Sequence, residues 1–219
     1  MNLNLPALCV NLLIAIFMKN KGLFIIFEGT DGVGKTTSIK LIKKILENNY
    51  HLTAIYRKGQ GANTRLGEFA RKHPSTFSFL LESLCALPQL IMAYYFYKQI
   101  ILQDRYFFSI IAHVPETKRW WNKLIIRLSA PLFVLIKPDL IFYLTTEINE
   151  QINRLKQTTQ SNIFHQILVS HPELLKARND ELLTMLKKSH LAMKPINTSN
   201  KLPQQTTNQL LQYIKPLLN

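Results

Sequence analysis

Cysteine and acid are scarce in this chain. Cys9 and Cys85 are the only cysteines in 219 residues, which excludes a disulfide framework and offers no metal-ligand spacing. A reducing compartment, the cytoplasm, suits such a chain. Asp and Glu number 13 against 27 Lys and Arg, for a net charge of +14. That excess favours anionic ligands, whether nucleotide, nucleic acid or anionic lipid, without choosing among them. A spanning apolar run is missing at the start of the chain: Leu5 to Phe17 is apolar but too short to cross a bilayer comfortably. Its lysines, Lys19 and Lys21, follow the apolar part, the reverse of a secretory signal. Three readings of residues 1–21 stand: an interfacial helix, an extra packed helix, or a start assigned too early with Met18 opening the protein. The last suits a first strand at Leu23. Internal repeats and low-complexity segments are absent, and 47% hydrophobic with 18% charged residues reads as one globular domain over 22–219.

What is present centres on Leu23 to Thr37, LFIIFEGTDGVGKTT. A strand-like apolar run ends at Glu28 and enters Gly29, four further residues, then Gly34-Lys35-Thr36, the pattern G-x-x-x-x-G-K-[ST]. Glycines let successive backbone N–H groups curl around a phosphate, and the helix predicted from Thr36 to about Asn48 turns its positive end to the same anion. The loop Gly29, Thr30, Asp31, Gly32, Val33, Gly34, Lys35, Thr36 and Thr37 is the candidate triphosphate cradle, with Lys35 on the β- and γ-phosphates and the Thr36 hydroxyl on Mg²⁺.

Further strands are predicted at His51 to Tyr56, Ile100 to Gln103, Leu140 to Leu144 and Pro195 to Thr198. Helical material lies at Arg65 to Lys72, within Phe77 to Tyr97, after Tyr106 through FFSIIA, from Arg119 to Ile136, from Thr146 through Lys156, from Phe164 to about Leu191 and from Pro203 to Leu218. Five parallel strands alternating with helices make a three-layer α/β/α sandwich with its site at the strands' carboxyl ends. That topology brings Asp104, at the end of the third strand, beside the phosphate loop, where a carboxylate can hold Mg²⁺ or accept a proton. Arg105 next to it offers a planar fork for phosphate.

The segments FEGTDGVGKTT, QDRYFFSIIA and PDLIFYL, in this order, resemble the thymidylate kinase family from about Leu23 onward. The resemblance implies a P-loop kinase that moves a phosphoryl group from ATP to dTMP with Mg²⁺. It places Lys35, Asp104, Arg105 and a lid arginine, Arg154, in catalysis, and Thr36 and Asp104 at the metal. Arg57, Arg105 and Tyr106 would meet the acceptor, with core packing the equal alternative for Tyr106; Arg178 is the second candidate for the lid charge. A homodimer is implied, nucleic acid is not, and peripheral membrane contact is the less favoured alternative. Departures are concentrated around the acceptor and lid. Lys58 stands where the family is acidic, Gly59-Gln60-Gly61 replaces its P-G-G, and no arginine lies between Lys72 and Arg105. Ala112-His113-Val114 replaces A-Y-Q, and the lid near 154–164 reads QTTQSN after Arg154 and Lys156. These leave two alternatives: a kinase for another nucleoside or nucleotide, or a non-catalytic nucleotide-binding or membrane-associated module.

Overall fold

The computed structural model describes residues 21–58, 86–106, 108, 136–157 and 163–218. Five strands form one sheet: β1 (Leu23–Glu28), β2 (Ala54–Lys58), β3 (Ile100–Asp104), β4 (Leu140–Thr145) and β5 (Met193–Asn197). Their spatial order is β2-β3-β1-β4-β5, and every pairing is parallel. The first strand therefore sits in the middle, and the chain leaves it toward both edges. In such a sheet a crevice opens beyond the carboxyl ends of the central strands, where the order reverses.

β1 is buried along almost its whole length because its two faces serve two cores. Ile25 and Phe27 point to one layer with Leu102, Phe142, Leu144 and residues of α1 (Lys35–Tyr50) and α5 (Pro203–Ile214). Phe24 and Ile26 point to the other, with Ile101, Ile141, Tyr94 and Leu182. Alternation along a strand thus builds the sandwich. The second layer holds helical residues 86–91, which run into a π turn at Met92–Phe96, and α4 (Pro172–Lys188). Between β4 and α4 come α2 (Ile148–Gln157) and α3 (Ile163–Ser170).

The fold class agrees with the sequence expectation, with local differences at element boundaries. β2 begins at Ala54, not His51, because His51 caps α1 in the left-handed region (φ 53°) and donates its N–H to Leu46; Arg57 consequently lies inside the strand. The helical stretch expected from Phe164 to Leu191 is two helices divided at His171, with Pro172 opening α4 at a position where its missing N–H costs nothing. The closing helix ends at Ile214 and tightens to a 3₁₀ turn over Lys215–Leu217. The expectations for residues 1–20, Arg65 to Lys72, Phe77 to Cys85, most of FFSIIA, His113, Arg119 to Leu135 and the QTTQSN segment beyond Gln157 fall outside the described residues.

Candidate active site

The loop between β1 and α1 is fixed by backbone geometry that side chains would block. Gly29 has φ 140°, and a Cβ there would stand 2.4 Å from the Leu144 carbonyl oxygen, because the loop passes directly over β4. Gly34, at φ 88°, turns the chain into α1 as its N-cap, so the first helical N–H groups face the cradle. Lys35 folds back over the loop and donates to the carbonyls of Gly29 at 2.8 Å and Thr30 at 2.7 Å. Burial, followed by the charge of Arg105, lowers its ammonium to about 8 despite the facing carboxylates.

Parallel register carries Asp104 to the position expected of it: the residue pairs with Phe27 at the end of β1. Its side chain is 3% exposed. Thr36 Oγ1 donates to Asp104 Oδ2 at 2.6 Å, and the Tyr56 hydroxyl donates to the same oxygen at 3.2 Å. Burial and the Asp104 charge push Tyr56 up to about 12, which keeps it a donor. Arg105 leaves β3 in the left-handed region (φ 69°), a conformation uncommon for a residue with a side chain. Its N–H donates to Phe27 O at 3.0 Å, and its guanidinium pairs with Asp31 of the loop. Burial acts to lower Arg105, but Asp31, Asp104 and Glu28 outweigh it and hold the guanidinium above its ordinary value. Glu28, fully buried, accepts from the N–H of Tyr106 at 2.8 Å.

Arg154, on α2, reaches the other flank of the loop. It donates to the carbonyl and hydroxyl of Thr198 at 2.9 and 3.1 Å, approaches Gly32 O at 3.4 Å, and pairs with Glu150 at 2.6 Å. Thr198 follows β5, and its hydroxyl lies 3.1 Å from the Val33 carbonyl. Arg178, on α4, is half-buried; burial lowers it, while Asp31 acts in the opposite direction. Arg57 is buried at the end of β2 and donates to Ala86 O at 3.3 Å.

Loop residues Asp31 to Thr37, with Tyr56, Arg57, Asp104, Arg105, Arg154 and Thr198, line one cleft of about 1890 Å³; Arg178 is not part of that lining. The loop and Asp104 lie on its floor. Tyr56, Arg57 and Pro88 line the β2 side, and Arg154, Thr198 and Lys201 line the β5 side. Tyr106 takes the second of its two expected placements: it is 4% exposed and its ring packs edge-on against Phe24 at 5.4 Å, within the core. The left-handed turn at Arg105 breaks strand alternation and sends Tyr106 inward. Tyr56, Glu28, Gln151 and Thr198 were not singled out from sequence; for Thr198 the strand-end position was the available signal.

The cleft has the glycine-rich loop at its centre, an acid at the neighbouring strand end, and room on both sides. The thymidylate kinase family model matches residues 27–202, most of the chain. The chain belongs to the thymidylate kinase family. A thymidylate kinase of Ureaplasma parvum serovar 3 is 23% identical over 187 residues, 73% of this chain and 79% of that protein. One from Mycoplasma genitalium is 27% identical over 173 residues, 74% and 78% respectively. Among solved structures, a thymidylate kinase from Candida albicans superposes with a TM-score of 0.63 at 17% identity, covering 90% of this chain and 92% of its own. That likeness bears on the fold. The matched span includes the loop, Asp104, Arg105 and Arg154.

Proposed function

We propose that this protein is a thymidylate kinase: it transfers the γ-phosphoryl group of ATP to dTMP, giving ADP and dTDP. The observation that carries the reading is the Lys35–Thr36–Asp104 arrangement. An ammonium is folded over the loop, and a hydroxyl and a carboxylate stand 2.6 Å apart beside it. Two hard oxygen donors, one at the end of β3 and one at the start of α1, fit Mg²⁺, which binds through one or two protein groups and leaves its other positions to water and phosphate. When bound, the ion neutralises charge on the phosphate oxygens; Thr36 and Asp104 are the residues we assign to it.

Each remaining residue then has a task. The loop N–H groups and Lys35 hold the donor's phosphates, with the nucleoside of ATP on the Thr198 and Lys201 side. Arg57 and Arg105 clamp the acceptor phosphate on the β2 side, so that one of its oxygens faces the γ-phosphorus in line with the bond to the departing ADP oxygen. Positioning and charge neutralisation supply the acceleration. Because the loop has Asp31-Gly32 where it could have carried an arginine, Arg154, with Arg178 behind it, supplies the positive charge that the transferring group needs. A cytoplasmic homodimer completes the reading by analogy with the family. Among the described residues no helix is long and apolar enough to cross a membrane.

The test is ADP production from Mg-ATP by the purified protein across a panel of nucleosides and nucleoside monophosphates. Turnover highest with dTMP is the expected result. Turnover confined to another acceptor would overturn the substrate, and ATP binding without turnover would overturn the enzyme.

A further inference from the structure

One buried polar cluster has no part in the steps above. Thr30, the second residue of the loop, is 1% exposed, and Gln151 on α2 is fully buried. Gln151 Nε2 donates to Thr30 Oγ1 at 2.6 Å and also to the carbonyl of Asp31. Thr30 Oγ1 in turn donates to Asn179 Oδ1, on α4, at 2.7 Å. A hydroxyl has a single proton, so the order of donation is fixed from Gln151 through Thr30 to Asn179. The backbone carbonyl of Asn179 accepts from the Tyr143 hydroxyl of β4 at 3.0 Å, which anchors the far end.

This cluster is a costly way to fill space. The Gln151 Oε1 atom is buried without a hydrogen-bond partner among the described residues, and such an orphaned acceptor carries a desolvation penalty that an apolar side chain would avoid. What the amide gains is direction. Gln151 lies three residues before Arg154 on one face of α2, and Asn179 follows Arg178 on α4. Lys35 binds the Thr30 carbonyl, and the carboxyl of Asp31 pairs with Arg105. The Thr30 hydroxyl and the Asp31 carbonyl are thus held from the helices that carry the candidate lid charges: α2 through Gln151 at both atoms, and α4 through Asn179 at the hydroxyl.

We propose that Gln151 and Asn179 are positioning residues of the phosphate loop. Acting through the Thr30 hydroxyl and the Asp31 carbonyl, they hold the loop in its phosphate-binding shape and set α2 and α4 in register with it. The inference rests on the proposed function only in that the loop takes ATP.

Calorimetric titration of the full chain with ATP tests it, using Thr30→Val, Thr30→Ser, Gln151→Met and the double variant Thr30→Val/Gln151→Met. Thr30→Val and Gln151→Met should each weaken ATP about tenfold, equivalent to about 1.4 kcal/mol. Thr30→Ser, which keeps the hydroxyl, should stay within about twofold of wild type. The losses in the double variant should fall short of multiplying, because both changes break the Gln151–Thr30 bond. A purely structural role would lower the melting temperature and leave the affinity of folded protein unchanged. ATP affinity within twofold of wild type for both single variants, or losses that multiply in the double variant, would overturn the proposal. Should Thr30→Val not fold, Gln151→Met and Asn179→Leu put the same question from either helix. A wild-type protein that binds ATP yet fails to turn over dTMP would sink the acceptor assignment and leave this inference standing.

Discussion

Lys35 provides the sharpest quantitative test of the phosphate loop. In the ligand-free protein its ammonium is lowered to about 8 by burial and by Arg105. A bound triphosphate places several negative charges against it and drives the value back up, so ATP binding takes up a proton wherever free Lys35 is neutral. The protonated fraction of the free protein falls from about three-quarters at pH 7.5 to about one-tenth at pH 9.0. Apparent ATP affinity should therefore drop about eightfold over that interval, with a limiting slope of about one decade per pH unit above it. Calorimetry at pH 8.5 in two buffers of different ionisation enthalpy should register uptake of about three-quarters of a proton per ATP. Lys35→Arg, charged throughout, should remove the pH dependence. The same depression affects stability: between about 8 and 10.5 the unfolded chain binds more protons at this residue than the folded chain, so its contribution to stability rises with pH. An ATP affinity that stays flat from pH 7.5 to 9.0, with no proton uptake, would refute the reasoning.

Three further outcomes follow from the same geometry. Asp104→Asn keeps an acceptor for Thr36 and Tyr56 but removes the charge, so kcat should fall about 10²-fold and the Mg²⁺ requirement should rise; steady-state kinetics across a metal titration measures both. Arg154→Met should cut kcat about 10³-fold, with the KM for dTMP little changed, and Arg154→Lys should not restore it, since a point charge cannot reproduce the planar fork that spans Thr198 and Glu150. Gly29→Ala would push a Cβ against the Leu144 carbonyl at φ 140°; it should cost about 2 kcal/mol or more and lower the melting temperature by about 4–8 °C, readable by calorimetric scanning.

How far the sequence reaches depends on whether local chemistry or tertiary placement decides a residue's position. The loop was legible because its glycines, lysine and threonine form one pattern over nine consecutive residues, between a strand and a helix. Asp104 was legible for a topological reason: parallel strands of similar length end on one edge, so a strand-end acid must stand beside the loop. Tyr106 shows the limit. Its direction depends on the left-handed backbone of Arg105, which the sequence D-R-Y does not announce, and the ring went to the core. Pro172 could have been taken as the start of a helix, and the division of the long helical stretch at His171 follows from it. Gln151 could not be found by pattern. On α2 it looks like one more polar residue among Asn149, Glu150 and Asn153, and only the packing of that helix over the loop buries it.

The departures from the family at Lys58 and in the acceptor region lie around the end of β2 and in residues beyond the described strands. In the proposed function they bear on which base is held, while the loop, Asp104 and Arg105 bear on whether a phosphoryl group moves at all. The two questions can be separated by following the phosphorus itself. Purified protein incubated with Mg²⁺, γ-labelled ATP and dTMP should transfer the label to dTMP and yield labelled dTDP, with none formed by Lys35→Ala. Label that stays on ATP, or appears only as inorganic phosphate, would contradict the account.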